Sequence, residues 1–269
     1  MPLGVVPIAL LLSSGALVGL TLALVGGGGS ILAVPLLVYL VGVPSIHIAI
    51  GTSAIAVALN AAAGLASHAR LGNVKWPCAL VFSAAGVAGA LLGASLGKQV
   101  GGPELLTLFG LAMVGVGIYM LAARRDSIAN DVHLTSATAT HLLPRLLGFG
   151  LGVGMLSGFF GIGGGFLIVP GLMFATGMAL HSAIGTSLLA VTAFGLATAA
   201  SYAWSDLVDW RLALLVIAGG IIGSLLGARA NTALAGHKRL LAIAFAALVI
   251  AAGLYVTASA TAALLAAVN

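Results

Sequence analysis

Acidic residues are nearly missing from this chain. Asp and Glu number 5 in 269 residues, and Glu104, Asp126, Asp131, Asp206 and Asp209 all fall in loops or at the ends of apolar segments. No carboxylate lies mid-segment, so a buried cation site or a carboxylate proton relay of the usual intramembrane kind has no residues to use. Lys and Arg are absent from the segment centres too, so a buried anion would have to be held by dipoles and hydrogen bonds. Cys78 is the single cysteine, which excludes an intrachain disulfide and a cysteine-based metal or redox site. No cofactor and no metal is expected. With only 6% charged residues, the chain cannot cover the surface of a soluble domain.

What is abundant is apolar sequence, at 61% of residues and a mean hydropathy of +1.25. This is the composition of an integral membrane protein. A spanning helix needs about 20 apolar residues, so the length leaves room for roughly eight to ten helices and no extramembrane domain. The net charge of +5 comes from basic residues scattered through short loops. They read as topology signals, and nucleic acid is not an expected partner. The N-terminal apolar run lacks a basic leader, and its end at Val18 to Gly29 corresponds to Val153 to Gly164 further on, so it belongs to the mature fold.

That correspondence is one part of a tandem duplication. His47-Ile48-Ala49-Ile50-Gly51-Thr52-Ser53 returns as His181-Ser182-Ala183-Ile184-Gly185-Thr186-Ser187 at an offset of 134. The cluster Gly26 to Gly29 with Ser30 and Pro35 returns as Gly161 to Gly165 with Pro170, at an offset of 135. Trp76 answers Trp210, and Gly89 to Ala94 answers Gly223 to Ala228. A repeat whose best-kept parts are glycines, hydroxyls and prolines within apolar sequence points to a transporter built from two related halves.

Polar breaks divide each half into five segments, near 5–25, 30–43, 47–67, 75–97 and 104–123, then 145–160, 165–178, 182–203, 210–230 and 239–262. The expected organisation is a first transmembrane repeat over 1–123, a polar cytoplasmic linker over 124–144 and a second repeat over 145–269. The second segment of each half is too short to cross as a helix, so whether it spans or forms a re-entrant hairpin stays open. If every segment changes side, or if the first two form a hairpin, one face receives Arg70, Lys75, Arg124, Arg125, Arg145, Arg229, Lys238 and Arg239, and the other only Lys98 and Arg211, a split of 8 to 2. If the first two together cross once, the split is 6 to 4. The positive-inside rule prefers the first parity. Five steps is odd, so the halves are expected to be inverted, with both termini away from the cytoplasm.

Four adjacent glycines permit backbone angles closed to other residues, so the chain is expected to reverse sharply at Gly26 to Gly29 and again at Gly161 to Gly165. In lipid such backbone is tolerated only against protein or an aqueous cavity. The economical placement is two hairpin tips meeting near the midplane, with free N–H groups aimed at a ligand. Close helix packing is the competing explanation of glycine; it fits Gly86, Gly89, Gly93, Gly220, Gly223 and Gly227, which share a helix face, better than a run of neighbours. The hydroxyls of Thr52, Ser53, Thr186 and Ser187 can cap a helix or donate to a ligand. Asn60 is a lone amide whose counterpart is Phe194, so bonding between helices is its expected role. His47 and His181, at the starts of two segments, are the best titratable candidates for proton coupling.

On these residues the chain resembles the sulfite exporter TauE/SafE family, also called the toluene-sulfonate uptake permease family. The glycine-rich break with a following proline (Gly26 to Pro35, Gly161 to Pro170), the downstream A-I-G-T-S (Ala49 to Ser53, Ala183 to Ser187) and Trp76 with Trp210 carry the likeness, which covers nearly the whole chain. The resemblance implies a multi-pass carrier of a bacterial-type inner membrane for sulfite, sulfonates or related sulfur-containing and organic anions. Gly27 is matched by Ile162 and Ser30 by Gly165, so the two tips do not offer identical donors.

The resulting reading is an all-α polytopic membrane protein, not an enzyme, acting as a secondary transporter of small anions. The expected anion contacts are Gly28, Gly29, Ser30, Thr52 and Ser53 with Gly163, Gly164, Gly165, Thr186 and Ser187. The expected partners are the anion and the lipid bilayer, and a homo-oligomer is compatible with the sequence. An anion channel of the same fold is the main alternative. An intramembrane hydrolase using Ser157 with His181 is disfavoured, because Ser157 is not in a G-x-S-x-G elbow and no acid is available to orient the histidine.

Overall fold

A computed structural model describes residues 5–122, 139–161, 165–233 and 238–268. Among the described residues the fold is entirely helical: α1 (Val5–Val25), a broken segment α2 (residues 26–40), α3 (Ile46–Arg70), α4 (Trp76–Gly97), α5 (Gly102–Ala122), α6 (Ala139–Phe160), α7 (Gly165–Thr176), α8 (Leu180–Ala203), α9 (Trp210–Ala233) and α10 (Lys238–Val268). Eight of these are long and apolar enough to cross a membrane. Helix α6 begins earlier than the polar composition around it suggests, so Ala139 to Pro144 are helical and the linker is shorter than expected. Leu80, Leu92, Leu225 and Leu254 are more than half exposed, as befits side chains that face lipid.

The two short segments behave differently. Gly26–Leu32 winds as a tight 3-10 helix, Ala33–Pro35 forms one α turn and Leu36–Leu40 widens to π geometry. Pro35 has no N–H to give to the helical ladder, which accounts for the change of winding there. The expected reversal at the first tip is thus made through tight helical winding: Gly29 comes back against Thr21 and Leu22 of α1, and Leu37 packs with Leu11. In the second half Gly161 does take a left-handed φ of 68°. Helix α7, at 12 residues, is ~18 Å long, well short of the roughly 30 Å hydrocarbon core.

Packing follows the repeat. Gly89 and Gly93 of α4 let the backbone of α6 approach at Leu151 and Met155, and their counterparts Gly223 and Gly227 of α9 do the same for Ala16 and Leu20 of α1. Small residues are what allow such contact in a membrane, where apolar side chains gain little by leaving lipid. Along both pairs the contacting residue numbers rise together, so α1 runs parallel to α9 and α4 to α6. Counterpart helices instead run antiparallel: Gly64 of α3 faces Leu188 of α8 while Gly195 of α8 faces Ala58, and Gly110 of α5 faces Gly253 and Thr257 of α10 while Gly117 faces Ile250. Helices α3 and α8 are the most enclosed spans, each 61% buried, and form the centre of the molecule.

Candidate functional site

The two A-I-G-T-S motifs lie on these central helices, and each grips the other half of the protein. Thr52 Oγ1 accepts a hydrogen bond from the backbone N–H of Asp209 at 3.0 Å. Thr186 Oγ1 accepts from the backbone N–H of Lys75, also at 3.0 Å. Lys75 and Asp209 are counterparts in the repeat, and each immediately precedes the tryptophan that starts α4 or α9. The glycine before each threonine makes room: a Cβ on Gly51 would strike the carbonyl of Leu207, and one on Gly185 the carbonyl of Asn73. The two docked loops share a backbone shape, since Gly72 has φ 71° and its counterpart Asp206 has φ 55°. Asp is among the few residues that accept this conformation in place of glycine.

Both threonines are fully buried, as are Ser53 and Ser187. The serines donate back to carbonyls in their own helices, Ser53 to Ile50 at 2.9 Å and Ser187 to Ile184 at 2.7 Å. Thr21, Thr107, Thr176, Thr192 and Thr257 also bond back within their helices. Thr52 and Thr186 do not. Each accepts across the half boundary and keeps its O–H hydrogen to offer. A hydroxyl with its oxygen engaged and its hydrogen available is a positioned donor.

The antiparallel register of α3 and α8 sets the two motifs on opposite sides of the centre, and residues of both tips reach the first of them. Gly161 packs against Ile50 of the first A-I-G-T-S motif. Ile31 and Leu32 of the first tip share a buried apolar cluster with Ile50 and Phe160. The wound segment around Gly29 packs on α7, so the two short segments touch. Gly29 sits against α1, where a Cβ would strike Thr21 and Leu22. Ser30 is fully buried and engaged. Gly28 lies within the 3-10 stretch and Gly165 opens α7, while Gly163 and Gly164 lie outside the described residues. His47 stands half-exposed in the first turn of α3 with Nε2 3.4 Å from the carbonyl of Gly97. The side chain of His181 is outside the described set.

One polar residue differs from expectation. Asn60 was expected to bond across helices, yet neither its Nδ2 nor its Oδ1 has a protein partner. Lys98 donates Nζ to the Ser201 carbonyl and to Ser205 Oγ, both at 3.0 Å. It thereby closes the C-terminus of α8, where a cation is favoured by the helix dipole. The clasp partners Lys75 and Asp209 escaped the sequence reading because they act through backbone N–H groups. The clue available was their shared offset and shared position before a tryptophan. Among the described residues no group of His, Cys, Asp or Glu is placed to hold a metal.

A family model for the sulfite exporter TauE/SafE matches residues 11–256. The chain belongs to the TauE/SafE family. Relatives carry consistent names: a "Probable membrane transporter protein" of Xylella fastidiosa (strain Temecula1) is 50% identical over 245 residues, covering 91% of this chain and 93% of that one. The "Probable membrane transporter protein YdhB" of Bacillus subtilis (strain 168) is 28% identical over 213 residues, covering 79% and 86%. No solved structure gives a significant match. This TauE/SafE member is a multi-pass membrane transporter, and its duplicated G-T pair binds each half to the loop before the fourth helix of the other.

Proposed function

We propose that the protein is a secondary carrier of small anions, with sulfite, sulfonates and related oxyanions as the substrate class. The single observation that carries this reading is the pair Thr52 and Thr186: buried, related by the repeat, each with its oxygen engaged by the opposite half and its O–H left to donate. Donors without a fixed charge suit a carrier that must release what it binds, and no described carboxylate stands mid-helix to repel an anion. The sulfur specificity leans on the family description alone.

The two halves are read as inverted repeats about the α3–α8 centre. The antiparallel packing of α3 with α8 and of α5 with α10 supports this, as does the 8 to 2 charge split, which assigns the Arg124-bearing linker to the cytoplasm. Thr52, Ser53, Thr186 and Ser187, with the tips at Gly28 to Ser30 and Gly163 to Gly165, form the anion path, and His47 and His181 are its candidate proton carriers. The reading is tested by flux into proteoliposomes of sulfite, methanesulfonate, taurine, acetate and chloride, with and without an imposed pH gradient. Saturable uptake of the sulfur oxyanions in preference to chloride is expected. Flux without saturation, or no discrimination among the anions, would favour a channel of the same fold.

A further inference from the structure

Between Ser53 and Ser67 the only polar side chain of α3 is Asn60. It is fully buried, and both ends of its amide lack a protein partner. Its height in the fold is fixed by packing. The register in which Gly64 faces Leu188 and Gly195 faces Ala58 brings residues 59–60 of α3 level with residues 192–194 of α8. Those are the positions at which α3 meets its own counterparts in the repeat, so Asn60 stands within about one residue of the centre of the crossing.

The other half provides an internal comparison. Asn60 rests against Gly220 of α9, while its counterpart Phe194 rests against Gly86 of α4, the counterpart of Gly220. The phenyl ring of Phe194 fills its niche and stacks on Phe82 with centroids 6.1 Å apart. An apolar side chain therefore satisfies the architecture at this position. An unpaired amide in the same setting is destabilising, since a buried donor or acceptor without a partner gives up its hydration for nothing in return. Native structures leave few such groups, and each calls for a reason. Packing does not supply one here.

We infer that Asn60 contacts the transported oxyanion and sets specificity, its Nδ2–H donating to an anion oxygen midway along the path. This inference rests on the reading of the chain as an anion carrier. An amide adds a second property that a cation lacks. Its Oδ1 accepts, so it complements an oxyanion that still carries one proton and disfavours a fully deprotonated one. Because the counterpart is Phe194, the contact exists once per molecule and not twice. The substrate class it selects is the oxyanion that keeps a proton, hydrogen sulfite, over a dianion such as sulfate.

Asn60→Leu removes both polar ends at similar volume, and Asn60→Asp keeps the shape and the acceptor but loses the donor. In proteoliposomes the Leu variant should raise KM for sulfite about tenfold, while the purified protein unfolds in detergent at the wild-type temperature or above it. The Asp variant should lose more flux than Leu at neutral pH and regain it, relative to wild type, under mildly acidic conditions, where the buried carboxyl binds a proton and again donates. A purely structural asparagine would give the opposite pattern: lower unfolding temperature with KM unchanged within twofold in both variants and no acid recovery, and that would overturn the inference. If the wild-type protein shows saturable sulfite flux and the variants match it, only this inference falls. If the wild-type protein shows no saturable anion flux, the proposed function falls and this inference with it.

Discussion

Replacing Thr52 by valine keeps the volume and β-branching of the side chain and deletes the oxygen that receives the Asp209 N–H at 3.0 Å. The amide at the entry to α9 then lacks its partner across the boundary between halves. Orphaning a buried donor costs about 1–3 kcal/mol, and a part-buried one falls toward the lower end. Thr186→Val does the same to the Lys75 N–H at the entry to α4. The two clasps share no residue, so the double variant should lose roughly the sum, ~2–4 kcal/mol. Serine at either position retains the acceptor and should recover most of it. The assay is denaturant unfolding of the purified protein in mixed micelles, followed by helical signal, on wild type, both single valines, the double valine and the two serines. Because each threonine is also proposed to donate to the anion, each valine should weaken substrate affinity by about 0.5–1.5 kcal/mol. Wild-type stability in the double valine variant would refute the clasp, and wild-type affinity would separately remove these hydroxyls from the path.

Alanine at Gly51 or Gly185 should destabilise more than valine at the neighbouring threonine, because the new Cβ meets the backbone carbonyl of Leu207 or Asn73; the same unfolding assay reads this. Gly93→Leu should prevent assembly of α4 on α6, where the backbone of Met155 occupies the space, and should be seen as loss of folded protein after extraction. Gly29→Val should leave the protein inserted but abolish flux, since a side chain there meets Thr21 and Leu22 of α1 and displaces the first tip. Tag-accessibility mapping should place the linker and the Arg70–Lys75 loop in the cytoplasm and Asn269 opposite. Linker and C-terminus on one side would contradict the inverted halves.

Much of the helical layout was legible because lipid imposes one rule throughout: long apolar runs between polar breaks become helices. The glycine stripes on α4 and α9 could be placed from spacing, since residues three and four apart share a face. The reversal at Gly26 to Gly29 was legible too, but not its winding, because glycine runs permit both a left-handed turn and the tight 3-10 winding found there. The clasps were invisible for a different reason. Their threonines were evident, but backbone N–H groups carry no sequence signal, so the partners Asp209 and Lys75 emerged only when the halves were brought together. The unpaired amide of Asn60 likewise shows only in three dimensions.

Counterflow measures the proposed anion carrier cycle directly. Proteoliposomes preloaded with unlabelled sulfite and diluted into a trace of labelled sulfite should accumulate label transiently above equilibrium, with an initial rate that saturates as external sulfite rises. Label that only approaches equilibrium, at a rate linear in external sulfite, would contradict a carrier cycle.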